Sequence, residues 1–282
     1  MRFVATLFLW IITTAALAVA VPTMWAQRNV VDLNGYSALA ASAAQDPQLQ
    51  EAMAGELGTQ LKKMVNGTGY DVSADLLRGA AGTYTSSAVF PGQFAQANRI
   101  VHQWILTDAV QQTDASGRWQ IDLSPMLSDS SFRQTLRRFG IEVPSTLVVP
   151  LTESASDSVR PGQLRQVSTW GPWVSVGATI LTGVLALLTL ATARSRGKAL
   201  AALGVSALLV GAAGWAGLEV ARRYVNNALD RTAGDIRQVA DAMVNHAEGS
   251  MHQWLNLTLA AGGVLVVFGV LVSMLGGLRR RD

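Results

Sequence analysis

The chain has no cysteine and only three histidines among its 282 residues, and acidic and basic side chains together make up just 15% of it. Without thiols there is no disulfide, no thiolate nucleophile and no cysteine-based zinc site, so stability has to come from packing. His102, His246 and His252 lack the i, i+4 spacing of a helical zinc pair, and no His-Glu-x-x-His occurs. There is no Gly-x-Ser-x-Gly elbow and no Walker loop. Gly79-Ala80-Ala81-Gly82 lacks the lysine and flanking strand of a phosphate cradle, and turn or helix-end duty is expected of it. No catalytic residue, cofactor site or metal site is expected from these patterns.

The scarcest thing is charge within four long apolar runs: Phe3 to Met24, Trp170 to Ala193, Ala199 to Leu218 and Trp254 to Leu278 contain no Asp, Glu, Lys or Arg. At about 1.5 Å per residue even the 20-residue third run reaches the roughly 30 Å of a hydrocarbon core. All four are expected to span a membrane. With no ionisable group inside any of them, an ion or proton path through this chain alone is not expected.

Basic residues beside the run ends orient the spans, since short cytoplasmic segments retain Lys and Arg. Arg2, then Arg194, Arg196 and Lys198, then Arg279, Arg280 and Arg281 all fall on one side if both termini are cytoplasmic. They account for 7 of the 22 basic residues, while Asp282 is the only one of 19 acids on that side, so 15 bases and 18 acids remain outside. The pI near 9.6 is therefore a membrane-orientation signal, not a nucleic-acid footprint. Outside, Lys62-Lys63 and Arg137-Arg138 occur only as pairs, without interleaved aromatics. Ala18-Val19-Ala20 has the small-x-small pattern of a signal-peptidase site, but the first run exceeds the usual h-region and Trp25 sits where an interfacial anchor belongs. An uncleaved anchor is expected, and a mature terminus at Val21 in a mass spectrum would overturn that.

The expected plan is a membrane protein of four transmembrane α-helices. An extracytoplasmic α+β domain lies between helices 1 and 2, and a helical hairpin extension lies between helices 3 and 4. By residue number the segments are 1–25, 26–169 (the domain), 170–193, 194–198 (a cytoplasmic turn), 199–218, 219–253 (the hairpin), 254–278 and 279–282. The domain segment, about 145 residues long, is of ordinary single-domain size.

Within the domain, Tyr36 to Ala44 suggests a helical turn or two. Asp46-Pro47 reads as a cap and first helical position, with Leu49, Met53, Leu57 and Leu61 continuing to about Val65 and Asn66-Gly67 stopping the helix. Gly55 and Gly58 inside that pattern each cost about 1 kcal/mol against alanine. Pro91 to Ala109 forms the next helix, with Phe94, Ala97, Val101, Trp104 and Ile105 on its buried stripe. Trp119, Ile121 and Leu123 alternate with polar residues as in a strand ended by Pro125, and Thr146 to Thr152 is a second strand candidate. Asp129 can cap a short helix carrying Phe132, Leu136 and Phe139 and closed by Gly140. Parallel and antiparallel pairing of the strands both remain open.

The hairpin is expected to turn near Asp230 to Gly234. Its descending arm carries Ile236, Val239, Met243, Val244 and Met251 at helical spacing, a face that needs either the loop domain or another subunit as cover. Val220, Tyr224, Val225 and Leu229 suggest that the third span continues upward to meet it. Asp230, Asp235 and Asp241 are the closest acidic grouping, and capping or pairing with Arg231 and Arg237 is expected of them. Small residues, Ala207, Gly211, Gly214 and Gly217 in the third span and Gly262, Gly269 and Gly276 in the fourth, mark helix-packing or partner-docking surfaces. They serve either the chain's own bundle or a foreign helix.

The stretch Phe94-Ala-Gln-Ala-Asn98-Arg99-Ile-Val-His102, the later Trp119-Gln-Ile-Asp-Leu-Ser-Pro125 and the four-span layout together resemble uncharacterised integral membrane proteins of actinobacteria. The likeness covers most of the chain and brings no known active site. Asn98, Arg99 and His102 either tie their helix to the sheet or bind something. The overall plan is similar to LucB-type accessory membrane subunits of the mycobacterial Mce lipid-import machinery. That resemblance implies a non-enzymatic subunit of the bacterial plasma membrane, docked beside a permease-like partner and an extracytoplasmic lipid-binding assembly, with membrane lipids around it. A membrane-anchored hydrolase or transferase using His102 or a carboxylate is the alternative. An extracytoplasmic ligand sensor signalling through a partner is a third.

Overall fold

The computed structural model describes residues 2–66, 73–107, 120–122, 134, 148–150, 162–230, 232 and 234–278. Helix α1 (Arg2–Ala26) passes into a π-helical turn (Gln27–Val31), followed by α2 (Leu33–Ala43), α3 (Pro47–Asn66), α4 (Ala74–Thr85) and α5 (Phe90–Leu106). Strands β1 (Gln120–Asp122) and β2 (Val148–Pro150) precede α6 (Arg165–Thr192), α7 (Arg196–Leu229) and α8 (Gly234–Leu278). Among the described residues, four helices are long and apolar enough to cross a membrane: α1, α6, α7 and α8. Helix α8 has 45 residues, about 65 Å at the α-helical rise, roughly twice what a hydrocarbon core requires.

Two compact units result. The span unit comprises 1–28, 169–228 and 248–282, and the loop unit comprises 29–168 and 229–247. Helix α8 contributes long stretches to both, while α6 and α7 cross the boundary only at residues 165–168 and Leu229.

The loop unit is held by large side chains. Asp46 accepts the Gln48 amide (2.8 Å) and starts α3, and Ser73 accepts the Leu76 amide (3.3 Å) and starts α4. Leu49, Tyr84, Phe90 and Phe94 bury together with Ala40, Ala43, Ala44 and Ala242, and Met53, Leu57, Val239 and Met243 pack around them. Phe90 meets Tyr84 edge-on with ring centroids 5.6 Å apart, and Phe94 lies 5.7 Å from Phe90. Helix α2 packs on α5 and α3 on α4. A Cβ on Gly58 would lie 3.1 Å from the Arg78 backbone, so the helix-propensity cost of that glycine is exchanged for close approach of α3 to α4. The last carbonyls of α5 are met by the Gly162 amide at Trp104 (3.1 Å), the Leu164 amide at Ile105 (3.2 Å) and the Ser168 hydroxyl at Leu106 (2.8 Å).

Several expectations change. The α+β domain is corrected. Among the described residues the loop unit is built of helices, and its strands amount to one antiparallel ladder, Ile121 opposite Val149, three residues on each side. The alternating stretches place those strands where they occur, but a ladder this short supplies no layer for helices to cover. Gly79 to Gly82 is neither turn nor helix end but the interior of α4, whose buried face is Leu77, Ala80, Ala81 and Tyr84. Helix α5 stops at Leu106, and its buried face is Phe90, Phe94, Ala95, His102, Trp104 and Leu106, whereas Ala97, Val101 and Ile105 are only half-buried. The stripe is rotated because Phe90, just before the proline, joins the core. Apart from Gln134, the helix expected after Asp129 lies outside the described residues, as do Gly117, Pro125, Arg231 and the C-terminal Arg279, Arg280 and Arg281.

Candidate functional site

In the span unit, polarity and burial are inverted relative to a water-soluble fold. Thr13, Ser175, Thr189 and Ser206 are at most 2% exposed, while Phe3, Trp173, Leu187 and Val264 lie open. The buried hydroxyls satisfy each other and the backbone. Thr13 and Thr189 share a hydrogen bond (3.3 Å), Thr14 and Ser206 share one (2.7 Å), and Thr13 also donates to the Leu9 carbonyl (2.7 Å). Trp10 Nε1 donates to the Ala202 carbonyl at 2.8 Å. In an apolar surround, such bonds and close backbone approach are what hold helices together.

Helices α7 and α8 make the closest seam. A Cβ on Gly269 would lie 2.4 Å from the Ala201 nitrogen and 2.7 Å from the Gly197 oxygen; one on Gly262 would lie 2.9 Å from the Gly204 oxygen. Reciprocally, a Cβ on Gly197 would meet Ser273 N at 2.4 Å and one on Gly204 would meet Gly262 O at 2.6 Å. Gly211 faces Leu259 and Gly214 faces Leu255, while Ala207 is buried beside Gly262. Gly197, Gly204 and Gly211 repeat every seventh residue, as do Gly262 and Gly269, so the two glycine rows run along one antiparallel line of contact. The sequence reading missed Gly197 and Gly204, although the seven-residue spacing was there to find them. Gly217 is different, because nothing lies within 4 Å of its Cβ position. Gly276 falls near the end of α8, outside the residues whose surroundings are described.

The expected hairpin face divides along α8. Val239 and Met243 pack on the loop-unit core, Val244 is half-buried, Ile236 is exposed, and Met251 is buried in the span unit. Val220 and Tyr224 of α7 remain open. Arg237 pairs with Asp241 at 2.9 Å and Asp230 at 3.5 Å, which accounts for two of the three acids. Asp235 instead packs its carboxylate where a Gly55 side chain would be, 2.4 Å from the Cβ position.

His102 is buried in the loop unit. Its Nε2 lies 2.8 Å from the Val30 carbonyl, and its ring faces Tyr36 at a centroid distance of 4.8 Å. Tyr36 donates to Asn98 Oδ1 (3.2 Å), and Arg99 donates to Asn34 Oδ1 (3.1 Å) and Ser37 Oγ (3.2 Å). Burial raises the Tyr36 pKa above its ordinary value, so the phenol stays a donor. Asn98, Arg99 and His102 thus tie α5 to α2 and to the π-helical turn. His246 is bonded likewise, its Nε2 lying 2.9 Å from Ser42 Oγ. His252 stacks on Trp215 with centroids 3.8 Å apart, and Trp215 Nε1 donates to Asn256 Oδ1 at 3.3 Å.

Among the described residues, an apolar cleft of about 830 Å³ within the span unit is of a size suited to a ligand. One face of α1, from Trp10 through Ala18 to Ala26, forms one wall; α7 from Leu209 through Gly217 to Ala221 forms the other; and Met251 and Leu255 of α8 close part of the back. Its size is that of ordinary small-molecule sites, about 300–1,000 Å³, but it lacks the convergent charged or polar groups of a catalytic pocket. Among the described residues no cluster of His, Asp and Glu is placed to hold a metal ion. No protein-family model, curated protein or solved structure matches the chain.

Proposed function

We propose that this protein is a non-enzymatic accessory or stabilising subunit of a cell-envelope membrane complex, docking through its transmembrane helices. The observation that carries this reading is the state of α6. Of its 28 residues only Ser175 and Thr189 are buried, and Gly177 and Gly183 have nothing within 4 Å of their Cβ positions. Gly197, Gly204, Gly211 and Gly214 of α7 and Gly262 and Gly269 of α8 are taken up in their own seam, whereas α6 offers small residues beside Trp170 and Trp173 to a foreign helix. The tying of His102 to Tyr36 and Val30 supports a structural role for that residue in preference to a hydrolase or transferase centre.

In this reading the chain lies in a bacterial plasma membrane with both termini cytoplasmic and the loop unit extracytoplasmic. The positions of Arg194, Arg196 and Lys198 around the short link from α6 to α7 support that orientation. The partner is a permease-like subunit, with an Mce-type lipid importer as the resemblance-based candidate. Affinity purification from native membranes in mild detergent, followed by mass spectrometry, should recover an integral membrane partner, and Gly177→Leu should diminish that recovery. Isolation of this polypeptide alone, as a monomer at native abundance, would refute the reading.

A further inference from the structure

The cleft between α1 and α7 is apolar space that the fold props open. Near Trp10 the two helices are joined by the Trp10 bond to Ala202 (2.8 Å) and by the Thr14 bond to Ser206 (2.7 Å). Toward its other end α1 is tied instead to α8, through Trp25 Nε1 donating to Ser250 Oγ at 3.2 Å. Attached to different neighbours at its two ends, α1 is kept from closing on α7. Ala18 and Gly217, which face the gap, are too short to fill it. Left empty, the lining atoms would lose their dispersion partners outright.

The shape suits a long, thin apolar occupant. The lining residues run for about 20 Å along α1 and α7 at the α-helical rise, a length over which an extended hydrocarbon chain can lie in the groove. The lining is mostly apolar, and the polar groups of Trp10, Thr14 and Trp25 are taken up by Ala202, Ser206 and Ser250, so in a hydrocarbon core what reaches it is bilayer material. At the Ala26 and Ala221 end the environment changes. Arg28 lies two residues beyond Ala26, and Arg222 and Arg223 follow Ala221, all three exposed, with Arg222 held 3.2 Å from Glu248. Guanidinium groups at the end of an apolar groove match a phosphate above a hydrocarbon tail.

We propose that this cleft is a binding site for a membrane phospholipid, an acyl chain lying between α1 and α7 and the phosphate at the Arg28 and Arg222 end. The site is preformed, so the lipid is retained as a ligand and does not exchange like the surrounding bilayer. The inference does not depend on the chain having a protein partner.

The test uses the full chain alone, in phosphatidylglycerol vesicles containing a trace of the same lipid with a photoreactive diazirine in its acyl chain, and maps labelled residues by mass spectrometry. Residues around Ala18 and Gly217 should label at least fivefold more than those around Leu187, an open position on α6. Gly217→Trp, built into space with no neighbour within 4 Å, should cut the cleft labelling at least fivefold and leave the Leu187 region unchanged. Gly177→Trp, equally bulky but on α6, should change neither. Native mass spectrometry of the wild-type chain should show a retained phospholipid that Gly217→Trp lacks. Equal labelling of cleft and α6 would overturn the proposal, as would cleft labelling indifferent to Gly217→Trp, or cleft positions that instead cross-link to a second polypeptide.

Discussion

The two units of this molecule solve the packing problem in opposite ways. The loop unit puts large side chains inside: Leu49 and Phe90 are at most 2% exposed, and aromatic rings meet around them. The span unit buries glycine, alanine, serine and threonine beside a few larger residues such as Leu255 and Val210, and turns most of its leucine, valine and phenylalanine outward. Where water is the solvent, removing apolar area from it is the main gain, and bulk inside is favourable. Where lipid is the solvent, a leucine gains little by moving inward, so contact comes from backbone approach and from hydroxyls that have nowhere else to bond. The same chain is therefore sensitive to opposite substitutions in its two halves.

The strongest break in that contrast is expected from removing bulk in the loop unit. Leu49→Ala should cost about 2–5 kcal/mol, the range for a fully buried leucine, and be read as early thermal loss of the loop unit's hydrogen-exchange protection. Retention of full protection would mean that the core closes over the gap and that Leu49 is not its anchor.

Adding bulk should do the damage in the spans. Gly269→Ala places a methyl 2.4 Å from the Ala201 nitrogen, where only backbone can give way, and should cost about 1–3 kcal/mol, the range for overpacking. Gly263→Ala, six residues away on the same helix with nothing within 4 Å, is the control and should be neutral or stabilising by up to about 1 kcal/mol. Melting followed by size-exclusion fluorescence in detergent compares the two, and equal behaviour would remove the seam from the account.

The smallest effect is expected from the hydroxyl pairs. Thr14→Val deletes the 2.7 Å bond to Ser206 while keeping the shape, and should cost about 0.6 kcal/mol, the average for such bonds within a bilayer. A loss of several kcal/mol would show that hydroxyls, not the glycine seam, dominate the span unit.

The spans were readable because a run of 20 or more apolar residues without charge has few uses other than crossing a membrane. The start of α3 was equally plain, since Asp46-Pro47 is both cap and first turn. Helix α4 was hidden by Gly79 and Gly82, which read as breakers, although Ser73, Asp75 and the spacing of Leu77, Ala80, Ala81 and Tyr84 marked it. The strands were placed correctly, but their weight was misjudged, because alternation says that a strand exists and not how many neighbours it has. As for the cleft, its small residues were visible as Gly214 and Gly217, yet nothing in their spacing separates Gly214, which meets Leu255, from Gly217, which faces open space.

By itself, then, the sequence determined that four segments suit a membrane and that packing must proceed without disulfides, because hydropathy and composition are properties of each segment alone. Which glycines touch, which face of α8 the loop unit covers, and where α1 parts from α7 were decided only in the tertiary structure. Those depend on distances between segments far apart in the chain, such as Trp10 to Ala202 and Trp25 to Ser250, and no local pattern encodes them.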